Sequence, residues 1–285
     1  MKLKSHHPLT WIPHLFLFYK EKVFQKLLPI MLIMAAYEIL VAIFFPHGGK
    51  YSLGQFHLIF SFILTIIISF RVNTSYARWW EGRILWGSIL NNCRNLGLKF
   101  DTYVGLENNT EFYLLLKKLP LVIKAHLRKN KIEMKNLFES LDFKETESKN
   151  PILLIMQPMY TIINKLRDKD KIRFEQYMAL DAHMVNLIDV IGGCERIANT
   201  PVPPAFAFFV KQALLFYAIM FPFGWIDTFG VLVLPMMIMI VYILLGLEIL
   251  AEELEEPFGN DDNDLPLGQI SRNIELNIEQ IAERI

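Results

Sequence analysis

The sequence has few cysteines, no excess of charge of either sign and none of the common catalytic motifs. Its 285 residues include only two cysteines, which excludes a framework of several disulfides. Lys and Arg together number 29, as do Asp and Glu, so the net charge gives no argument for a nucleic-acid partner. No HExxH, GxxxxGK[ST] or GxGxxG pattern occurs, and the seven histidines are scattered. These absences argue against an enzyme.

Apolar residues, by contrast, are abundant. They make up 53% of the chain, including 22 Phe, and the mean hydropathy is +0.30, which is too apolar for an ordinary soluble domain of this length. Residues 27–46 and 53–70 are two apolar stretches joined by a short polar turn, and each is long enough for a hydrocarbon core of about 30 Å. A second pair, 212–226 and 229–250, is predicted to form a hairpin around Asp227. The sequence therefore predicts an all-α membrane protein with four transmembrane helices in two hairpins.

The distribution of charge predicts how the chain is divided. Five lysines precede the first span and three arginines follow the second, whereas the two predicted turns contain a single lysine. By the positive-inside rule, both termini and the region between the hairpins should be cytoplasmic. The predicted organisation is a cytoplasmic N-terminal segment (1–26), a first transmembrane hairpin (27–70), a helical cytoplasmic domain (71–205), a second transmembrane hairpin (206–250) and an acidic cytoplasmic C-terminal segment (251–285).

Three patterns next to the predicted spans are more specific than hydropathy. Residues 70–87 read FRVNTSYARWWEGRILWG, and their arginines and tryptophans are types that anchor a helix at the lipid boundary. Residues 192–203 read GGCERIANTPVP, in which prolines end a helix. Residues 252–267 read EELEEPFGNDDNDLPL, an acidic run around a Pro-Phe-Gly bend. Together these patterns resemble the bestrophin family of ion channels, and the resemblance extends over most of the chain.

The resemblance implies a pore along the second predicted span. Phe62, Ile66 and Phe70 lie four residues apart and so project along one side of a helix. Periodicity alone favours lipid-facing or bundle-core residues at these positions. Bestrophins, however, have an apolar neck of three residues upstream of an Arg-Trp-Trp motif, and this spacing transfers to these three. The resemblance further implies a homopentamer with the helices assembled around a central pore.

Further residues on the conduction path are also implied by the resemblance. A second, cytoplasmic constriction is expected at Ile172 or Arg173. Positive charge from Arg71, Arg78 and Arg83 is predicted where the pore opens into the cytoplasm, and such charge raises the local concentration of anions.

The acidic run predicts a calcium site, with a solvated acidic linker as the alternative. Hard cations take six to eight oxygen ligands, which a bent, Asp-rich loop can supply as carboxylates and carbonyls. The spacing does not fit an EF-hand. It resembles instead the bestrophin calcium clasp, in which two aspartates and backbone carbonyls hold the ion. The aspartates match Asp261 and Asp264, and the carbonyls match near Glu253 and Glu256.

The predicted function is a pentameric ion channel that passes small monovalent ions through an apolar neck, with chloride favoured. Its expected partners are further copies of the chain, membrane lipids and inorganic ions, without nucleic acid, and its expected location is the bacterial inner membrane. A sodium- or potassium-selective channel of the same fold is the alternative, because an apolar neck does not determine the sign of the permeant ion. A secondary transporter or a membrane enzyme is the rival from another class. Two hairpins that both start in the cytoplasm, and spans almost free of charge, argue against a transporter.

Overall fold

The computed structural model describes residues 19, 21–45, 53–105, 109–142 and 150–283. Across these ranges the chain forms helices and turns and contains no strand, so the prediction of an all-α protein is confirmed. The predicted turn between the first two spans and most of the N-terminal segment lie outside the described residues. The helices are α1 (Lys22–Phe44), α2 (Gly54–Tyr103), α3 (Thr110–Leu127), α4 (Lys131–Ser140), α5 (Pro151–Asp168), α6 (Phe174–Asn199), α7 (Pro204–Phe229), α8 (Val233–Glu255) and α9 (Leu267–Ala282).

Three helical stretches in the described part of the chain are long and apolar enough to cross a membrane: Lys22–Phe44, Gly54–Tyr103 and Pro204–Glu255. The last is interrupted at Gly230, whose φ of 54° is a conformation that glycine adopts far more readily than other residues. A short 3₁₀ turn follows there, and α7 and α8 pack against each other. The hairpin is therefore centred on Gly230, and the prediction that it turns at Asp227 is wrong, because Asp227 lies within α7.

Helix α2 is continuous over 50 residues, although the sequence changes from apolar to charged near residue 70. No proline occurs between Gly54 and Tyr103, so nothing in the backbone forces a break where the composition changes. At 1.5 Å per residue the helix is about 75 Å long, far more than a hydrocarbon core requires. Its apolar first part and its charged second part therefore belong to different environments.

The chain divides into two compact units. The first unit comprises Met1–Tyr76 and Val202–Glu255, and the second comprises Ala77–Pro201 and Glu256–Ile285. Within the first unit, α1 packs against α7 and α8, and the apolar part of α2 contributes to the same core. The buried side chains of this core include Met34, Leu64, Ile68, Val210, Leu214, Met237 and Val241.

The second unit is organised around α3, which packs against α4, α5, α6 and α9. The charged part of α2 still has an apolar stripe, because Trp86, Ile89, Cys93, Leu96 and Phe100 recur at three- and four-residue steps and are fully buried. The Phe100 ring stacks on that of Phe112, with 3.8 Å between the ring centroids. Both cysteines of the sequence, Cys93 and Cys194, are buried in this core and free, which fits the expectation of no disulfide framework.

Candidate pore helix and its supporting motifs

The apolar part of α2 has two distinct faces. Leu64 and Ile68 are buried against the chain's own core, at 2% and 3% exposure. Phe62, Ile66 and Phe70 point away from that core, at 68%, 42% and 66% exposure. We call these three exposed residues the neck ladder. An apolar neck formed by several copies of one helix needs such an outward apolar stripe, although lipid contact would leave the same side chains exposed, so their role in the neck stays a prediction.

Arg71 follows the neck ladder in sequence but lies on the opposite face of α2. It comes seven residues after Leu64, so the two share a helix face, and its side chain is only 1% exposed. Its Nη1 lies 2.6 Å from Glu255 Oε2 and its Nε lies 3.5 Å from Glu248 Oε1. The expectation of a free positive charge at the pore mouth is therefore corrected for Arg71, because this charge is buried and paired with two carboxylates of α8.

Arg78 binds the C-terminal end of α6. Its Nη1 and Nη2 donate to the backbone carbonyls of Thr200 and Ile197, over 2.9 and 2.8 Å. The last carbonyls of a helix lack intrahelical partners, and a cation at that end also interacts favourably with the helix dipole. Arg78 therefore satisfies a helix end within the second unit. Of the three arginines predicted at the pore mouth, Arg83 has an exposed side chain, and its role there stays a prediction.

The aromatic part of the same motif holds the loop that follows α8. Trp79 Nε1 donates to the backbone carbonyl of Asn263 over 2.9 Å. Gly82 lies against Phe258, and a Cβ added at Gly82 would come within 3.1 Å of the Phe258 ring. A side chain at position 82 would therefore push this ring away. Trp79 therefore connects α2 to the acidic loop within the second unit. Its interpretation as an anchor at the lipid boundary did not predict this contact.

The GGCERI motif contacts the RWWEGR motif of α2 through Arg196. Its Nη2 lies 2.5 Å from Glu81 Oε1, so an ion pair connects the two motifs. The neighbouring Glu195 pairs with His126, with 2.7 Å between Oε1 and Nε2. Cys194 beside them is fully buried, and burial, together with the charges of Glu195 and Glu81, raises the pKa of its thiol to about 12. A thiol in that state is a core side chain and a poor nucleophile.

The part of the acidic run that belongs to the second unit is a compact loop. Leu265 N donates to Pro257 O over 2.8 Å and Gly259 N donates to Glu256 O over 3.1 Å. The Asp264 carboxylate accepts from the backbone N of Asp261 over 2.6 Å, so it helps to close the loop. Among the described residues, no group of three or more His, Cys, Asp or Glu side chains is placed to hold a metal ion. A calcium ion here would therefore depend on backbone carbonyls for most of its ligands.

The remaining predicted site residues are Glu253, Ile172 and Arg173. Glu253 belongs to the first unit, where its Oε1 lies 2.9 Å from Lys26 Nζ. Ile172 is 4% exposed within the core of the second unit, so its side chain is not available to line a passage. Arg173 is exposed, and its backbone N donates to Gln176 Oε1 at the start of α6. The predicted second constriction therefore depends on Arg173 alone.

These features are those of an integral membrane protein in which one long helix exposes an apolar stripe. The chain matches the family model for bacterial and fungal bestrophin proteins over residues 2–280. It therefore belongs to the bestrophin family of ion channels, as the three motifs predicted.

Named relatives and solved structures agree with this assignment. The chain is 29% identical over 297 residues to a voltage-dependent anion channel-forming protein of Synechocystis sp., covering 99% of this chain and 96% of the relative. A protein of Nostoc sp. with the same description is 33% identical over 231 residues, covering 78% and 75%. A variant of a bacterial bestrophin homologue from Klebsiella pneumoniae has a similar structure, with a TM-score of 0.81, 27% identity and coverage of 90% of this chain and 99% of that one. The family consists of channels, so the prediction that this is no enzyme is confirmed.

The role of Arg78 can be tested against Arg83, a second arginine of the same motif. We expect Arg78→Gln to lower the free energy of unfolding by about 1–3 kcal/mol, since it removes charge-assisted hydrogen bonds to two helix-terminal carbonyls. Arg83→Gln should change it by less than about 0.5 kcal/mol, as is usual for an exposed side chain. Thermal unfolding of the detergent-purified variants measures both. Equal melting temperatures for the two variants would contradict the capping role.

Proposed function

We propose that the protein forms a homopentameric anion channel whose axial pore is lined by α2. The observation that carries this proposal is the neck ladder, an exposed apolar stripe on a helix whose other face is buried in its own chain. Closed rings of identical subunits are the simple way for one helix to build a symmetric pore. Five copies are the number that the resemblance to bestrophins implies.

In this arrangement each residue of the neck ladder contributes one side chain per subunit to a ring. An ion that enters an apolar ring loses polar partners for its hydration shell, so the ring can gate conduction by dewetting. Phe62 and Phe70 are aromatic and narrow the passage more than Ile66 does. The neck is therefore proposed as a gate for small hydrated ions.

Chloride is the proposed permeant ion, in line with the description of the Synechocystis and Nostoc relatives as anion channel-forming. Arg71 faces two carboxylates that compensate its charge, so it adds little to an anion-attracting field. Arg83 and Arg173 are exposed and are the residues we propose for that field. A cation-selective pore of the same fold is the second candidate, because the neck itself carries no charge.

We further propose four membrane spans per subunit, with both termini in the cytoplasm of a bacterium and the protein in its inner membrane. α7 has 26 residues and α8 has 23, which at 1.5 Å per residue give about 39 and 35 Å. Each exceeds a hydrocarbon core of about 30 Å. Together with α1 and the apolar part of α2, they make two hairpins.

The neck assignment predicts a gain of conduction when the ring is widened. We expect the triple variant Phe62→Ala, Ile66→Ala and Phe70→Ala to raise the open probability of single channels in planar bilayers, since smaller side chains admit water. The control is Leu32→Ala with Ile33→Ala, which removes two exposed apolar side chains of α1, a membrane-spanning helix that does not carry the ladder. Unchanged currents from correctly assembled triple variants would place the ladder against lipid.

Calcium binding at the acidic loop is a separate proposal. If Asp261 is a ligand, calcium should raise the melting temperature of the wild type, because a ligand that binds only the folded state stabilises it. Asp261→Ala should remove that rise while keeping the backbone N–H that Asp264 accepts. Asp262→Ala, which alters the neighbouring carboxylate, is the control and should retain the rise. A wild type whose melting temperature does not respond to calcium would favour a solvated linker.

A further inference from the structure

Arg71 is a positively charged side chain buried within the first unit, directly after the apolar stretch of α2. It is among the largest side chains that are fully buried, next to Glu248 at 2% exposure. An unpaired arginine is costly in such surroundings, and removing one partner of a buried pair is costly as well. The two carboxylates of α8 therefore hold the guanidinium in place, and they hold α2 with it.

The Glu255 carboxylate connects three segments of the first unit. Its Oε2 lies 2.6 Å from Arg71 Nη1 on α2. Its Oε1 accepts from the backbone N of Val202 over 2.8 Å, two residues before α7 begins at Pro204. Translation of α2 along its axis, or rotation around it, would therefore displace Glu255 in the last turn of α8. It would also disturb the hydrogen bond from Glu255 to the segment that leads into α7.

We propose that Arg71 is a positioning residue. It fixes the rotation and the axial position of α2 and so keeps the Phe70 side chain facing the pore. This proposal rests on the proposed function. Successive residues of a helix are about 100° apart and turn together. A rotation of α2 that brought Arg71 out of its carboxylate pair would therefore turn the Phe70 side chain away from the pore. The ion pairs thereby select one orientation of the neck.

The neighbouring ion pairs of α8 do not involve α2. Glu252 pairs with Lys211 of α7, and Glu253 pairs with Lys26 of α1. Glu255 and Glu252 thus lie within one turn of the same helix, but Glu255 contacts the pore helix and Glu252 does not. Neutralising each in turn separates an effect on α2 from a general loss of charge on α8.

The experiment uses a thiol at position 70 as a reporter in the full-length protein in planar bilayers. Cys93 and Cys194 are fully buried, so Phe70→Cys supplies the accessible thiol. The rate of its modification by the anionic reagent sulfonatoethyl methanethiosulfonate is read from the change in current. In this background, Glu255→Gln keeps an oxygen for the Val202 N–H and removes the charge that Arg71 binds.

Because residue 70 turns away from the pore when the pair is lost, we expect Glu255→Gln to lower the modification rate about tenfold, within the range of coupling between linked sites, and Glu252→Gln to change it by less than about twofold. Arg71→Lys keeps the buried charge, and hence the fold, but loses the planar fork that meets two carboxylates, so it should lower the rate as well. Equal rates in Glu255→Gln, Arg71→Lys and Glu252→Gln would overturn the positioning role and leave the neck intact. No modification in the otherwise unchanged Phe70→Cys protein would instead overturn the neck assignment itself.

Discussion

The surroundings of α2 differ both around its circumference and along its length, and the arrangement of the chain follows from this constraint. Leu64 and Ile68 are buried in the first unit, while the neck ladder points outward from the same turns of the helix. Past Tyr76 the helix continues into the second unit, where a new apolar stripe begins at Trp86. Between these stripes the helix carries Arg71, Arg78, Glu81 and Arg83, and the first three are bound within the chain, which accounts for several of the motif residues.

In this chain, the motif residues that identify the family mainly form hydrogen bonds and ion pairs with polar groups of the second unit. Arg78 binds two carbonyls at the end of α6, Glu81 pairs with Arg196, and Trp79 binds a carbonyl of the acidic loop. All of these contacts lie within the second unit. The residues with the most specific sequence signal thus stabilise the second unit, whereas the proposed gate consists of ordinary apolar side chains whose pattern is common in any membrane helix.

Much of the fold could be predicted from the sequence, because long apolar runs and helical spacing follow directly from hydropathy and periodicity. The neck ladder was found by its four-residue spacing together with the family resemblance, and its side chains do face away from the chain's own core. Arg71 was misassigned because a membrane exit favours exposed cations, and its partners on α8 are nearly 180 positions away in sequence. Ile172 was misassigned for a similar reason, since the short connection before α6 turns its side chain into the core. Long-range pairing of this kind leaves no local pattern to read.

The reversal potential of assembled channels under a potassium chloride gradient tests the central claim most directly, because it reports the sign of the permeant ion without assuming any structure. The account predicts a value near the chloride equilibrium potential, as expected for an anion-conducting pore with an uncharged neck and exposed arginines near its mouth. A value near the potassium equilibrium potential would contradict the anion assignment, and an absence of current from confirmed pentamers would contradict the channel itself.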